Sequence, residues 1–317
     1  MNVLVSGANG FVGRALSAQI LARNMTVHGA TRLATVLPEG VIPFVVGNIN
    51  GCTLWPDALT NCSAVVHLAA RVHVLAETAT NPLTEFRQVN VQGTLSLAQQ
   101  AASTGVRRFV YISSIGVNGA ETFQQPFSFQ DKVAPHSPYA VSKYEAEMGL
   151  QALASKSGME LVIIRPPLVY GPNAVGNFGL LIRWLKRGIP LPLGAIHNRR
   201  SMVALNNLVD LIVTCLTHPA AANQTFLVSD GEDLSTTQLL RRMGAALKKP
   251  ARLFPLPVSA LKFGAALMGK PELAQRLCGS LQVDILKTKE LLGWRPPFSV
   301  DESLQTAAEG HLRETAV

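Results

Sequence analysis

The residues with the clearest chemical potential lie in SPYAVSKYEAE, residues 137–147. Tyr139 and Lys143 are four positions apart, a spacing that places both on one helical face. A free tyrosine titrates near pH ~10 and transfers protons poorly at neutrality unless a neighbouring cation favours its phenolate. Lys143 is such a cation, so the pair has the makings of a proton-transfer group. Ser137 suits a helix cap and Pro138 its first turn. The same spacing also describes an ordinary helix surface, and Tyr144 has nothing to set it apart from one.

A second chemical signal is GANGFVG, with glycines at Gly7, Gly10 and Gly13. It follows an apolar strand pattern and precedes an apolar-periodic helix, the setting in which glycines let a backbone approach a pyrophosphate at a helix N-terminus. A dinucleotide site is expected there. The end of the second strand reads Ala30, Thr31, Arg32, with no acid to hold a ribose 2′-hydroxyl. An arginine there accommodates a 2′-phosphate, which favours NADP(H) and leaves NAD(H) open.

The elements that must carry these groups alternate regularly. Strands are expected over 2–7, 26–31, 42–47, 64–69 and 108–114, with helices near 11–23, 54–60, 84–104 and 138–157. A sixth strand over 160–166 ends at Pro166-Pro167. This rhythm predicts an α/β fold, a doubly wound parallel (Rossmann) sheet. Beyond Pro167 glycine and proline become dense, then helices are expected near 178–187, 206–217, 235–247, 257–268 and 284–292, with a strand over 225–230. We expect residues 1–166 and 199–230 to form the dinucleotide-binding domain. Residues 167–198 and 231–317 are expected to form a smaller C-terminal α/β substrate lobe across a cleft.

Bulk properties exclude other classes. The 317 residues are 48% hydrophobic and 15% charged, a composition for a folded chain with a sizeable core. The net charge of +8 favours an anionic ligand. The basic residues are dispersed and no RNA-binding motif appears, so no nucleic acid partner is expected. Cys52, Cys62, Cys215 and Cys278 lack metal-ligand spacing and read as thiols in a reducing cytoplasm; no metal is expected. No leader is expected before the first strand, and no apolar run reaches the ~18 residues of a membrane span, so no stable membrane insertion is expected. Val258–Met268 is apolar but short and contains Lys262, and reads as a buried or interface helix, with membrane-surface contact the lesser alternative. His67, His73 and His136 read as structural or loop histidines, with His73 and Val74 able to face a substrate. Trp184 and Trp294 read as core residues.

Taken in order, these motifs resemble the extended short-chain dehydrogenases/reductases, in their nucleotide-sugar epimerase and reductase branch, through nearly the whole chain. GANGFVG, HLAA (67–70), VNVQGT (89–94), YISSIGVNG (111–119), SPYAVSK and RPPLVYGP (165–172) carry the resemblance. Asn118 stands where that family usually has tyrosine, and Asn48 where it commonly has aspartate. The resemblance implies Ser114 as the catalytic serine, with Ser113 a near alternative, Tyr139 as general acid or base, and Lys143 as the group that binds the nicotinamide ribose and lowers the tyrosine pKa. It implies cofactor contacts from Gly7, Asn9, Gly10, Phe11, Val12, Gly13, Arg32, Asn48, Ile49, Leu68, Ala69, Ala70, Tyr139, Lys143, Pro166 and Leu168. Ser114, Asn177, Leu191, Arg200 and Arg276 would contact a UDP-sugar. Within the branch the chain resembles bacterial UDP-sugar 4-ketoreductases of the UDP-N-acetylquinovosamine type, which serve lipopolysaccharide O-antigen synthesis. The implied reaction is NADP-dependent reduction of a UDP-linked 4-keto-6-deoxy-hexose. A UDP-hexose or UDP-N-acetylhexosamine 4-epimerase with tightly bound NAD is the alternative, and a non-catalytic NAD(P)-binding regulator a further one. A cytoplasmic homodimer, paired through the helices near 84–104 and 138–157, is also implied.

Overall fold

The computed structural model describes residues 1–72, 81–174 and 177–313, excluding the side chains of residues 177, 312 and 313; His73 and Val74 lie outside the described residues. The first half runs β1 (Asn2–Ser6), α1 (Phe11–Ala22), β2 (Thr26–Thr31), β3 (Val41–Val45), α2 (Pro56–Leu59), β4 (Ala64–His67), α3 (Pro82–Arg87), α4 (Thr94–Ser103), β5 (Arg108–Ile112), α5 (Pro138–Ser157) and β6 (Glu160–Arg165). The second half runs β7 (Leu168–Tyr170), α6 (Asn177–Lys186), β8 (Arg200–Ala204), α7 (Leu205–Thr217), β9 (Gln224–Leu227), β10 (Asp233–Leu234), α8 (Thr236–Ala246), α9 (Val258–Leu267), α10 (Pro271–Cys278), α11 (Leu286–Leu292) and α12 (Val300–Arg313).

Seven strands form one sheet in the order β3-β2-β1-β4-β5-β6-β9, every pairing parallel. The period of two sends alternate side chains to opposite faces. Val3 and Val5 of β1 meet Leu16 and Ile20 of α1 and Leu208 and Ile212 of α7, while Leu4 joins Leu97 of α4 and Leu150 of α5 on the other face. The strand order reverses at β1 and β4, which opens a crevice at their carboxyl ends. The fold is the doubly wound α/β sheet that the sequence predicts.

Local chemistry sets the helix that carries Tyr139. Ser137 Oγ accepts from the Ala140 N–H at 3.2 Å, Pro138 fills the first turn, and Gly158 ends α5 at φ +73°. The helix expected over 84–104 starts at Pro82, and its middle, Gln88–Gly93, widens into a π segment.

A second sheet, β10-β8-β7, packs with α6, α8 and α12 around Tyr170, Phe178, Ile182, Met202, Leu240 and Leu304. Its strands, α10 and α12 are additions to the expected elements. β8 passes into α7 at Ala204–Leu205 with no turn residue between, and only the helix was expected from the sequence. Of the ten residues of α9 only Ala265 is buried, so of the buried and interface readings the buried one does not hold. Among the described residues no helix is long and apolar enough to cross a membrane.

Candidate active site

At the end of β1 the chain turns through Gly7, at φ +71°, where its N–H donates to the Ala30 carbonyl at 2.9 Å. A Cβ on Gly13 would lie 2.1 Å from the Gly7 carbonyl oxygen, so only glycine lets α1 sit this close to the turn. No side chain caps α1 and no acid occupies its first turn, which leaves its N-terminal N–H groups and dipole for an anion. Gly10, Phe11, Val12 and Gly13 build this start. Beside it lies a cavity of about 610 Å³ lined by Gly7, Asn9, Arg32, Asn48, Ile49, Ala69 and Ala70. Leu68 packs against the core beneath it. The glycine cradle and the uncapped helix fit a dinucleotide.

A buried polar relay ties this cradle to α5. Ser6 Oγ accepts from the N–H groups of Leu68 and Ala69, at 3.1 and 3.2 Å, and meets His67 Nδ1 at 2.6 Å. His67 Nε2 lies 2.9 Å from Thr94 Oγ1, which donates to the Asn90 carbonyl at 2.7 Å. With the Thr94 proton so placed, Nε2 is the donor and Nδ1 the acceptor. Burial, aided by the charge of Lys143, holds His67 at a pKa of about 3, so it is neutral and structural, as expected. Asn90 Nδ2 continues to Ser142 Oγ at 3.0 Å, and that hydroxyl donates to the Tyr139 carbonyl at 2.8 Å. Asn90 and Thr94 come from VNVQGT, so the π segment supplies the link.

Tyr139 and Lys143 do share a face. Lys143 is fully buried; its Nζ donates to the Ile112 carbonyl at 2.8 Å and lies 6.0 Å from the Tyr139 ring centre. Burial lowers the Lys143 pKa to about 7, with Glu147 opposing. Burial raises Tyr139 to about 12. The expected lowering of the tyrosine by lysine is therefore outweighed here by desolvation. Ser114 Oγ, which accepts from the Gly116 N–H at 3.1 Å, and Tyr139 line one cavity of about 400 Å³ with Pro166 and Leu168. Ser113 is buried away from that lining, which separates the two serine candidates.

Arg200 and Arg276 line the same cavity. Arg200 Nη1 donates to the Gly279 carbonyl at 3.1 Å. Burial lowers the Arg200 pKa, Glu121 pushes the other way, and the nearby charge of Arg276 lowers it further. Arg276 is more open and pairs with Glu272 at 3.5 Å. Two guanidinium groups close enough to repel make a seat for a polyanion. Leu191 is placed elsewhere: it is buried in the cluster around Tyr170 and Phe178, and its N–H donates to the Arg252 carbonyl at 2.8 Å. The side chain of Asn177 lies outside the described residues.

Some contributors escape sequence reasoning. His136, read as a loop histidine, lines the cavity, as do Phe178 and Met202. Behind Lys143, Glu147 forms a buried ion pair with Arg165 at 2.6 Å, and Arg165 also donates to Asn118 Oδ1 at 2.9 Å. The asparagine in the usual tyrosine place thus anchors the arginine that holds Glu147. The i,i+4 spacing of Lys143 and Glu147 was the only local signal of this support.

The chain matches the model of the NAD dependent epimerase/dehydratase family over residues 3–229. It is 48% identical over 315 residues to a Vibrio cholerae protein described as UDP-glucose 4-epimerase, covering 98% of this chain and 96% of that one. A crystal structure of UDP-glucose 4-epimerase with UDP-glucose from Thermotoga maritima superposes with a TM-score of 0.80, at 21% identity and full coverage of both chains (100% each). One of UDP-glucuronic acid 4-epimerase from Bacillus cereus in complex with NAD gives a TM-score of 0.79 at 19% identity, covering 98% of this chain and 96% of that one.

Proposed function

Because the chain belongs to the NAD dependent epimerase/dehydratase family, we propose that it interconverts the C4 epimers of a UDP-hexose or UDP-N-acetylhexosamine while retaining NAD. This reading ranks above the 4-ketoreductase that the sequence motifs resemble, because a relative 48% identical over nearly the full length is described as UDP-glucose 4-epimerase. The observation that carries it is the single cavity lined by Ser114, Tyr139, Arg200 and Arg276 together.

Bound in the Gly7–Gly13 cradle, a nicotinamide dinucleotide supplies reversible hydride acceptance. Tyr139 exchanges a proton with the C4 oxygen, and Ser114 hydrogen-bonds the same oxygen and fixes its position. Burial holds Tyr139 in the phenol form, and Lys143 is the cation within reach that moves it toward phenolate. Arg200 and Arg276 hold the diphosphate, so the sugar can present its other face without leaving. Pro166 and Leu168 cover the nicotinamide end.

The test is incubation of purified protein with UDP-glucose and UDP-N-acetylglucosamine without added cofactor, with products followed by proton NMR. Formation of a 4-epimer, and release of NAD on denaturation, is the expected outcome. Tyr139→Phe should lower turnover by about 10²- to 10⁴-fold while keeping the bound dinucleotide. Full activity in that variant would sink the role of Tyr139. A 4-ketoreductase remains the second reading, favoured by Arg32 at the cofactor cavity and by the lack of an acid at the end of β2. Consumption of added NADPH with a UDP-4-keto-6-deoxy-hexose, and no epimer from UDP-glucose or UDP-N-acetylglucosamine, would establish it instead.

A further inference from the structure

We infer that the α9–α10 hairpin docks the protein on an anionic phospholipid bilayer, lying at its surface without crossing it. The starting point is an apolar helix in the wrong place. α9 reads VSALKFGAAL and buries only Ala265, leaving Phe263 68% and Leu267 74% exposed, with Met268 beyond it at 68%. Single exposed apolar residues are normal, but three large ones on one short hairpin form a patch that calls for a partner. Behind them opens a groove of about 370 Å³ whose walls include Trp184, Ile189, Leu256, Leu273 and Leu277.

Charge identifies the partner. Residues 234–271 contain Arg241, Arg242, Lys248, Lys249, Arg252, Lys262 and Lys270 and no Asp or Glu, so this segment alone carries a formal +7 of the chain's +8. Among the described residues, only Arg242 of the seven forms an ion pair. Four of the rest lie near groove residues in sequence or through a backbone hydrogen bond. Lys262 and Lys270 flank the exposed Phe263–Met268 stretch in sequence. Lys249 Nζ reaches the Lys186 carbonyl at 2.9 Å, at the end of α6. The Arg252 carbonyl binds the N–H of Leu191, a groove residue, at 2.8 Å. Exposed apolar residues flanked by lysines, with a tryptophan in the groove wall, match an interfacial helix pressed into headgroups and attracted to anionic lipid. The absence of a helix able to cross a membrane, among the described residues, fits a peripheral contact. Leu277 lines both this groove and the Tyr139 cavity, so docking would bring the cavity wall close to the membrane.

Co-sedimentation of the purified full-length chain with vesicles tests this without any turnover, so its outcome is separable from that of the epimerase reading. The chain should sediment with phosphatidylcholine vesicles containing phosphatidylglycerol, bind phosphatidylcholine alone weakly, and be released by salt. Phe263→Asp with Leu267→Asp should lower the bound fraction by about tenfold or more at an unchanged melting temperature. Lys262→Glu with Lys270→Glu should do the same through charge, and keeps the test open if the first variant misfolds. Failure to sediment with anionic vesicles, or undiminished binding by both variants, overturns the proposal. So does a wild-type dimer that Phe263→Asp with Leu267→Asp converts to monomer, since the face would then be a subunit contact.

Discussion

Lys143 is a buried cation whose surroundings divide against each other. The Ile112 carbonyl and the charge of Glu147 favour its ammonium, and desolvation disfavours it, leaving the pKa at about 7. An unfolded lysine titrates near ~10.4, so between these values the unfolded chain binds the proton and the native one releases it. The cost of folding around this lysine is therefore largest below pH 7 and fades as pH rises toward the unfolded value. From pH 7 to 9 its contribution to stability should rise by on the order of 2 kcal/mol. Urea unfolding of wild type and Lys143→Met at both pH values measures it: the wild type should gain more stability over that interval. Equal pH slopes would mean that Lys143 stays protonated in the native protein. The Tyr139–Lys143 pair was legible in the sequence because its spacing is local. Its support was not, because Arg165 lies 18 positions from Glu147 and 47 from Asn118, and only the fold brings them together.

At the level of elements, the three glycines of the first turn do different work. The Gly13 position is closed by backbone: an added Cβ would meet the Gly7 carbonyl oxygen at 2.1 Å and the Ala8 Cα at 2.9 Å. Neither neighbour can rotate aside, so α1 would have to move off β1. Gly10 has a φ of −74° and an added Cβ would meet only the Gly7 carbonyl oxygen, at 3.2 Å. Gly13→Ala should therefore destabilise the protein by about 1–3 kcal/mol and lose bound dinucleotide. Gly10→Ala should keep its melting temperature close to wild type and lose affinity for the dinucleotide alone. Equal melting temperatures for the two variants would contradict this division. The parallel sheet was legible because its buried strands are short β-rich runs between helix-period segments. β7, β8 and β10 were hidden, since two- to five-residue strands among prolines and glycines, or fused to a helix, leave no period to read.

At the scale of the molecule, the two cavities are built by different elements. The cavity at the glycine cradle is formed by the ends of β1, β2 and β4 and nearby loops, whereas Arg200 and Arg276 belong to β8 and α10. Arg276 lowers the Arg200 pKa while Glu121 opposes it, so in the proposed reading a bound diphosphate would add its charge there. A ligand at about 100 times its dissociation constant stabilises the native state by about 2.7 kcal/mol, enough to move the melting temperature by several degrees. UDP should raise the melting temperature of the wild type, and NAD should raise that of protein first stripped of its dinucleotide. Arg200→Ala should abolish most of the UDP shift and leave the NAD shift intact, because the arginine lies outside the cofactor cavity. Arg276→Ala should weaken the UDP shift less, since Arg276 is more exposed and already paired with Glu272. Differential scanning fluorimetry on the three proteins reads all of these outcomes. A UDP shift that survives both substitutions would place the nucleotide elsewhere, and loss of the NAD shift in Arg200→Ala would show that the two ends do not bind independently.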